Sequence, residues 1–173
     1  MTSFRNLIVS IASVLLLASC GSRTDQSSAR SIPDIRAQLK KDSIALQQLQ
    51  DRYQTPLWEQ FRWCDSMLAF VPQEQVNTYF DVLNLTQAYL NQFDETLPVM
   101  RNDLAFIQQQ LNLLQNDLET HYLSDSLANE YLIDEKAAAD TLHYRVRYFE
   151  DRLSQQEKAL RKVQKDIGKA VSK

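Results

Sequence analysis

The sequence predicts an all-α fold, a long antiparallel three-helix bundle of coiled-coil type. Three observations predict it. Glycine occurs only at Gly21 and Gly168 in 173 residues, so the stretch between them lacks the residue that hairpin turns and phosphate-cradling loops need. Apolar positions between residues 32 and 170 recur three and four apart, the spacing that sets one helix face against other helices. Turn signals cluster in two places, which divides the chain into helices of similar length.

Pro33 suits the first turn of the first helix, with Ser31 or Ile32 leading in. Its apolar stripe is Ile35, Leu39, Leu46, Leu49 and Tyr53, with Asp42 intruding. Pro72 pushes Val71 toward an extended conformation, so this helix should end near Phe70 and the next start at Pro72 or Gln73. The second stripe reads Val76, Tyr79, Leu83, Leu90 and Phe93, with Thr86 as its one polar member. It continues in phase through Leu97, Met100, Leu104, Ile107, Leu111, Leu114 and Leu118, while Gln108 to Gln110, Asn112, Gln115 and Asn116 fill the faces between. Large apolar members are missing at His121, Asp125 and Ala128, and Ser124-Asp125-Ser126 offers helix caps, which places the second turn there. The third stripe is Leu132, Ala139, Leu142, Val146, Phe149, Leu153, Leu160, Val163, Ile167 and Ala170, with Glu135 and Gln156 as polar members. The expected helices cover about 33–70, 73–121 and 126–169, a rod on the order of 55–75 Å long.

Pro56 and Pro98 each fit two readings: the first residue of a new helix, capped by Thr55 or Thr96, or a kink inside a long one. The stripe runs unbroken from Phe93 through Leu97 to Met100, which favours a kink at Pro98. A turn there defines the alternative, a four-helix bundle. The phase shared from Val76 to Ala170 also suits one continuous helix in a parallel oligomer, against which the polar gap at 121–125 favours a hairpin.

The N-terminus carries a different signal. Arg5 precedes an apolar run from Leu7 to Leu17, too short to span a bilayer comfortably, and small residues follow, as in a secretory signal peptide. Leu17-Ala18-Ser19-Cys20 resembles the lipobox of bacterial lipoproteins. The resemblance implies that residues 1–19 are a removed signal peptide and that Cys20, bearing diacylglycerol and a fatty acyl chain such as palmitate, becomes the anchored N-terminus. Gly21 stands where some lipoproteins carry the Asp that retains them at the inner membrane, so the resemblance implies an outer membrane location facing the periplasm. Residues 20–32 then form a lipidated tether. Its Ser, Thr, Gln, Asp and Arg side chains bury too little to offset their ordering entropy, so it is expected to be flexible. Residues 33–173 form the helical bundle.

Lys and Arg number 19 and Asp and Glu 22, a net charge of −3 that falls to −4 without Arg5, which argues against a nucleic acid partner. With Cys20 acylated, Cys64 has no disulfide partner and is expected to be a small buried hydrophobe between Phe61 and Leu68. His121 and His143 flank the second turn, neither with a further ligand at zinc spacing, so no metal is expected and His121 should be half-buried on the core stripe. The helices hold no Ser-His-Asp set and no Glu-x-x-His motif, so neither catalytic residues nor a cofactor are expected. Asp134-Glu135 and the alternating charges from Tyr144 to Lys165 read as solvated faces.

Trp58, Phe61, Trp63, Met67 and Phe70 form the densest aromatic segment. Two stripes run through it, Leu57-Phe61-Cys64-Leu68-Val71 and Trp63-Met67-Phe70, which make either a wide buried face or a docking patch for a partner. Lys158, Arg161, Lys162, Lys165 and Lys169 offset the dipole at the end of the last helix. The expected function is that of a non-enzymatic, lipid-anchored envelope protein, a spacer, adaptor or complex subunit whose partner is another envelope protein or a second copy of itself. One alternative is a carrier of lipid or another hydrophobic ligand, with a cavity lined by Trp58, Phe61, Trp63 and Tyr79. Another is a self-assembling coiled coil at the cell wall. Similarity to the murein lipoproteins, lipidated coiled coils that end in Lys, implies a bond from Lys173 to peptidoglycan, although the Tyr-Arg-Lys tail is missing here.

Overall fold

A computed structural model describes residues 32–172. The expected signal peptide, Cys20 and the expected tether up to Ser31, and Lys173, lie outside the described residues.

Among the described residues the chain is helical, with no strand, and forms three arms packed side by side. The first arm comprises α1 (Ile32–Leu49), a π-helical turn (Gln50–Gln54), α2 (Pro56–Met67) and a 3-10 turn (Leu68–Phe70). The second is α3 (Gln73–Glu119) and the third α4 (Asp125–Val171). The stripes named above are the core. Leu39, Leu90, Phe93, Met100, Leu111, Val146, Leu153, Leu160 and Ile167 are fully buried. Leu104, Leu118, Leu132 and Ala170 are half-buried.

Cross-links between arms define their directions. Arg36 meets Asn112 (2.7 Å), Arg101 meets Gln47 (3.3 Å) and Trp58 meets Asp94 (2.8 Å), so the first and second arms run in opposite senses. Asp103 pairs with Arg145 (2.7 Å), and the Phe93 and Phe149 ring centroids lie 5.3 Å apart, so the second and third arms are opposed as well. Arg52 with Glu157 and Gln60 with Gln164, both at 2.7 Å, align the first and third arms in the same sense.

The two prolines act differently. Core positions of the first arm advance 4, 3, 4, 3, 4 from Ile35 to Tyr53, then by four to Leu57 and again to Phe61, where alternation asks for three at the first of these steps. The extra residue falls at the π turn, whose wider ring takes in one residue and keeps Leu57 and Phe61 on the buried side. The same turn precedes Pro56, which has no N–H to donate. The backbone stays in the right-handed helical region at Thr55 (φ −95°, ψ −52°), and Glu59 N–H bonds to the Thr55 carbonyl at 3.0 Å. Thr55 makes no side-chain cap. Pro98 lies inside α3 at an exposed position, so the four-helix alternative does not hold. Its ring removes only the donor that would bond to the Asp94 carbonyl.

The first arm ends as expected: Val71 is extended (φ −89°, ψ 140°) before Pro72. At the second turn Thr120 N–H bonds to Asn116 O, His121 N–H to Leu118 O and Tyr122 N–H to Asp117 O, at 2.9, 3.2 and 2.9 Å. This is a Schellman ending in which His121, at φ 54°, takes the left-handed place usually given to glycine. Ser124 Oγ then accepts from Leu127 N–H (3.4 Å) and caps α4. The continuous-helix reading therefore fails. His121 is also exposed, not half-buried, because a left-handed residue beyond the last turn leaves the helix face its spacing assigned to it.

Leu111→Ala is expected to cost about 2–5 kcal/mol in urea denaturation, the price of a cavity in a closed core. Ile44→Ala, at a half-exposed site, should change stability by no more than about 0.5 kcal/mol.

Candidate functional site

The aromatic segment of α2 separates into a buried half and an exposed half. Leu57, Phe61, Cys64 and Val71 point into the core. Burial pushes the Cys64 thiol up to about 11, so it stays protonated and unreactive. Trp58 is half-buried: its ring meets Phe61 edge-on at 5.5 Å, and its Nε1–H donates to Asp94 Oδ2 on α3. The other oxygen, Asp94 Oδ1, is buried without a hydrogen-bond partner. Met67 is half-buried, while Trp63 is 37% and Phe70 68% exposed, the latter at the turn into α3. Trp58 and Phe61 thus tie arms together, and Trp63 and Phe70 are the exposed members of the segment. Spacing could not separate the two roles, since both stripes fit a helix face and the width of that face depends on its neighbours.

Among the described residues, surface clefts of 210, 290, 380 and 460 Å³ lie between the arms, and none of these is lined by Trp58, Phe61, Trp63 or Tyr79.

Polar groups inside the seam sit where the sequence interrupts its stripes. The Asp42 side chain, 3% exposed, places Oδ1 2.8 Å from His143 Nδ1 of α4, and both of its oxygens accept from Gln38 Nε2 at 3.2 and 3.3 Å. The Thr86 hydroxyl donates to the Val82 carbonyl (2.7 Å) and lies 3.2 Å from Gln156 Oε1 across the core. Glu157 accepts from Arg52 of the first arm and from Arg161, at 2.7 and 2.6 Å. Tyr53 beside this pair has its pKa raised by burial and by Glu157, against a lowering by Arg52. These are cross-ties, satisfied pairwise between helices. His143 serves Asp42 about 27 Å along α4 from the turn that holds His121, so the hairpin does not bring the two imidazoles together. Among the described residues no three His, Cys, Asp or Glu side chains are grouped to hold a metal.

A 380 Å³ cleft near the second turn is lined by Gln110, Leu113, Leu114, Asp117, Tyr122, Leu123, Tyr131 and Glu135. Burial raises the Glu135 pKa from its ordinary value, and Asp134 adds to the rise.

The sequence reading passed over one feature of α3. Leu85, Val99, Phe106 and Leu113 are about half exposed or more, and their separations are multiples of seven. The signal was available as a second seven-residue period two positions after the core stripe, but it was masked by the Asn and Gln around it.

Comparison of the chain with protein-family models, with curated proteins and with solved structures gives no match. No described helix is long and apolar enough to cross a membrane.

Two stability measurements test this account of the interior. His143→Ala should lower stability by about 1–3 kcal/mol, because Asp42 stays buried with Gln38 alone, whereas Asp42→Leu removes the buried charge and should be neutral or stabilising. Glu135 binds its proton more tightly in the folded state, so it stabilises the fold less as pH rises from the ordinary carboxylate range through its raised value. Glu135→Gln should therefore raise the melting temperature at pH 7 and leave it unchanged near pH 4, read by circular dichroism.

Proposed function

We propose that this is a non-enzymatic, lipid-anchored envelope protein whose body, an antiparallel three-helix rod of coiled-coil type, acts as a spacer, adaptor or complex subunit at the outer membrane. The observation that carries the anchor is Leu17-Ala18-Ser19-Cys20 at the end of a signal-like apolar run. The body fits this use. Helices of 47 residues give a rod of about 70 Å. Its interior is filled by side chains paired across arms, which suits a scaffold. No described helix is long and apolar enough to cross a membrane, and in this reading acyl chains on Cys20 attach the protein, several chains making a stable anchor.

The arrangement of the ends supports an orientation. Ile32 shares a cleft with Leu118 and Ala128, so the tether joins the rod at the hairpin end. The opposite end, with exposed Phe70, reaches away from the anchoring membrane toward a partner, either another envelope protein or a second copy.

Metabolic labelling with palmitate followed by membrane fractionation tests the anchor. The wild-type chain should take up label and sediment with outer membrane, and Cys20→Ala should lose the label and stay in the membrane-bound precursor or the soluble fraction. Labelling that persists in Cys20→Ala overturns the reading.

A further inference from the structure

The outer face of α3 carries little charge along most of its length. Between Asn84 and Asn116 the exposed residues of α3 carry two charges, Glu95 and Arg101, and Arg101 turns to the first arm to bond Gln47 and Gln50. The rest are Asn, Gln, Ala, Pro and the four large apolar side chains. On α4, by contrast, each exposed residue from 158 to 169 is Lys or Arg. On α1 the exposed side includes Asp34, Lys40 and Lys41. A solvated helix face usually carries charge, and a face depleted of it resembles the centre of an interface.

The apolar members of this face have the order of a coiled-coil seam. Leu85, Gln92, Val99, Phe106 and Leu113 follow at intervals of seven, all exposed, with Phe106 the most open at 60%. A seven-residue apolar period selects another helix as occupant, since only a helix repeats its contacts at that pitch. We infer that a second copy of this chain docks there: the outer faces of two α3 helices pair in parallel, in register, about a two-fold axis along the rods.

Three observations favour a second copy over another helix. In a parallel register each seam residue meets its own counterpart, so Leu85, Val99, Phe106 and Leu113 make apolar pairs and Gln92 makes one amide pair, the kind of polar contact that pins register. From Asn84 to Asn116 the face is nearly neutral, so two copies approach there with Glu95 as the one exposed acidic residue, whereas the end of α4 would repel itself strongly. Finally, the parallel arrangement places both Ile32 residues at the same end, where the chain outside the described residues begins, so two tethers can reach one membrane.

The seam is narrow. From Leu85 to Leu113 it runs about 42 Å, and one helix diameter of about 10 Å across it buries on the order of 400 Å² per copy, below what a stable dimer needs alone. Confinement to a membrane supplies the missing strength by raising the effective concentration. That part of the inference rests on the anchor proposed above, while the docking face does not.

The test is site-directed crosslinking of the full chain in bacterial membranes, with a short bis-maleimide and buried Cys64 left in place. Single cysteines at positions 99, 106 and 113 should each give a covalent dimer of twice the chain mass, and cysteines at 44 and 158 at least about tenfold less. Phe106→Lys added to Val99→Cys should lower the dimer about tenfold, since a Lys pair would be forced into the seam. Equal yields at all five positions, or crosslinks to a protein of different mass, overturn the second copy. Crosslinks between 99 and 113 without like-to-like products overturn the parallel register. The unsubstituted chain is the control for the anchor: dimers there mean that the Cys20 thiol is free, which refutes acylation and leaves the docking face to be judged in detergent solution.

Discussion

The molecule depends on keeping one apolar seam in phase along three arms. None of the helices is strong by itself: α3 and α4 carry many Asn, Gln, Asp, Ser and Tyr residues, and most helical stability in proteins comes from burying a face. Leu39, Phe93, Leu111, Leu153 and Ile167 are closed off because all three arms contribute to the same axis. A helix of 3.6 residues per turn drifts against any fixed repeat, so a seam of this length has to be corrected where the spacing slips. The first arm slips between Tyr53 and Leu57, and the π turn at Gln50–Gln54 absorbs the extra residue. Without it, α2 would present Pro56 and Gln60 to the core in place of Leu57 and Phe61.

Apolar contacts along such a seam are nearly interchangeable, so they close the core without fixing the register of one arm on another. The polar interruptions supply that. Asp42 with His143, Thr86 with Gln156 and Glu157 with Arg52 each join two arms at one height, and a slip of one turn would leave a buried group unpaired. Trp58 with Asp94 plays the same part between the first two arms. The rod therefore carries its specificity on a few polar pairs and its stability on many apolar contacts.

The faces left over have distinct chemistry. The end of α4 is basic and solvated, the first arm is mixed in charge, and the exposed face of α3 from Asn84 to Asn116 carries only Glu95 and Arg101 beside an ordered apolar row. Such segregation is not needed for folding, since exposed positions tolerate most residues. It gives the rod sides that differ in what they can meet, a property that suits the spacer or adaptor role proposed above.

Much of this was legible in the chain itself. The helical class, the three arms, the turns near Val71-Pro72 and Ser124, and the buried stripes from Ile35 to Ile167 all follow from local spacing and from prolines and caps, which act within a few residues. Tertiary structure alone decided the rest. Pro56 follows a π turn without breaking the first arm because the third arm holds both ends of that arm in place. His121 left the core stripe because the chain reverses there. Asp42 found His143, and the aromatic segment split into Trp58 and Phe61 inside and Trp63 and Phe70 outside. These outcomes depend on which residues of other arms stand opposite, at separations of 36 to 105 residues, and periodicity within one helix holds no information about that.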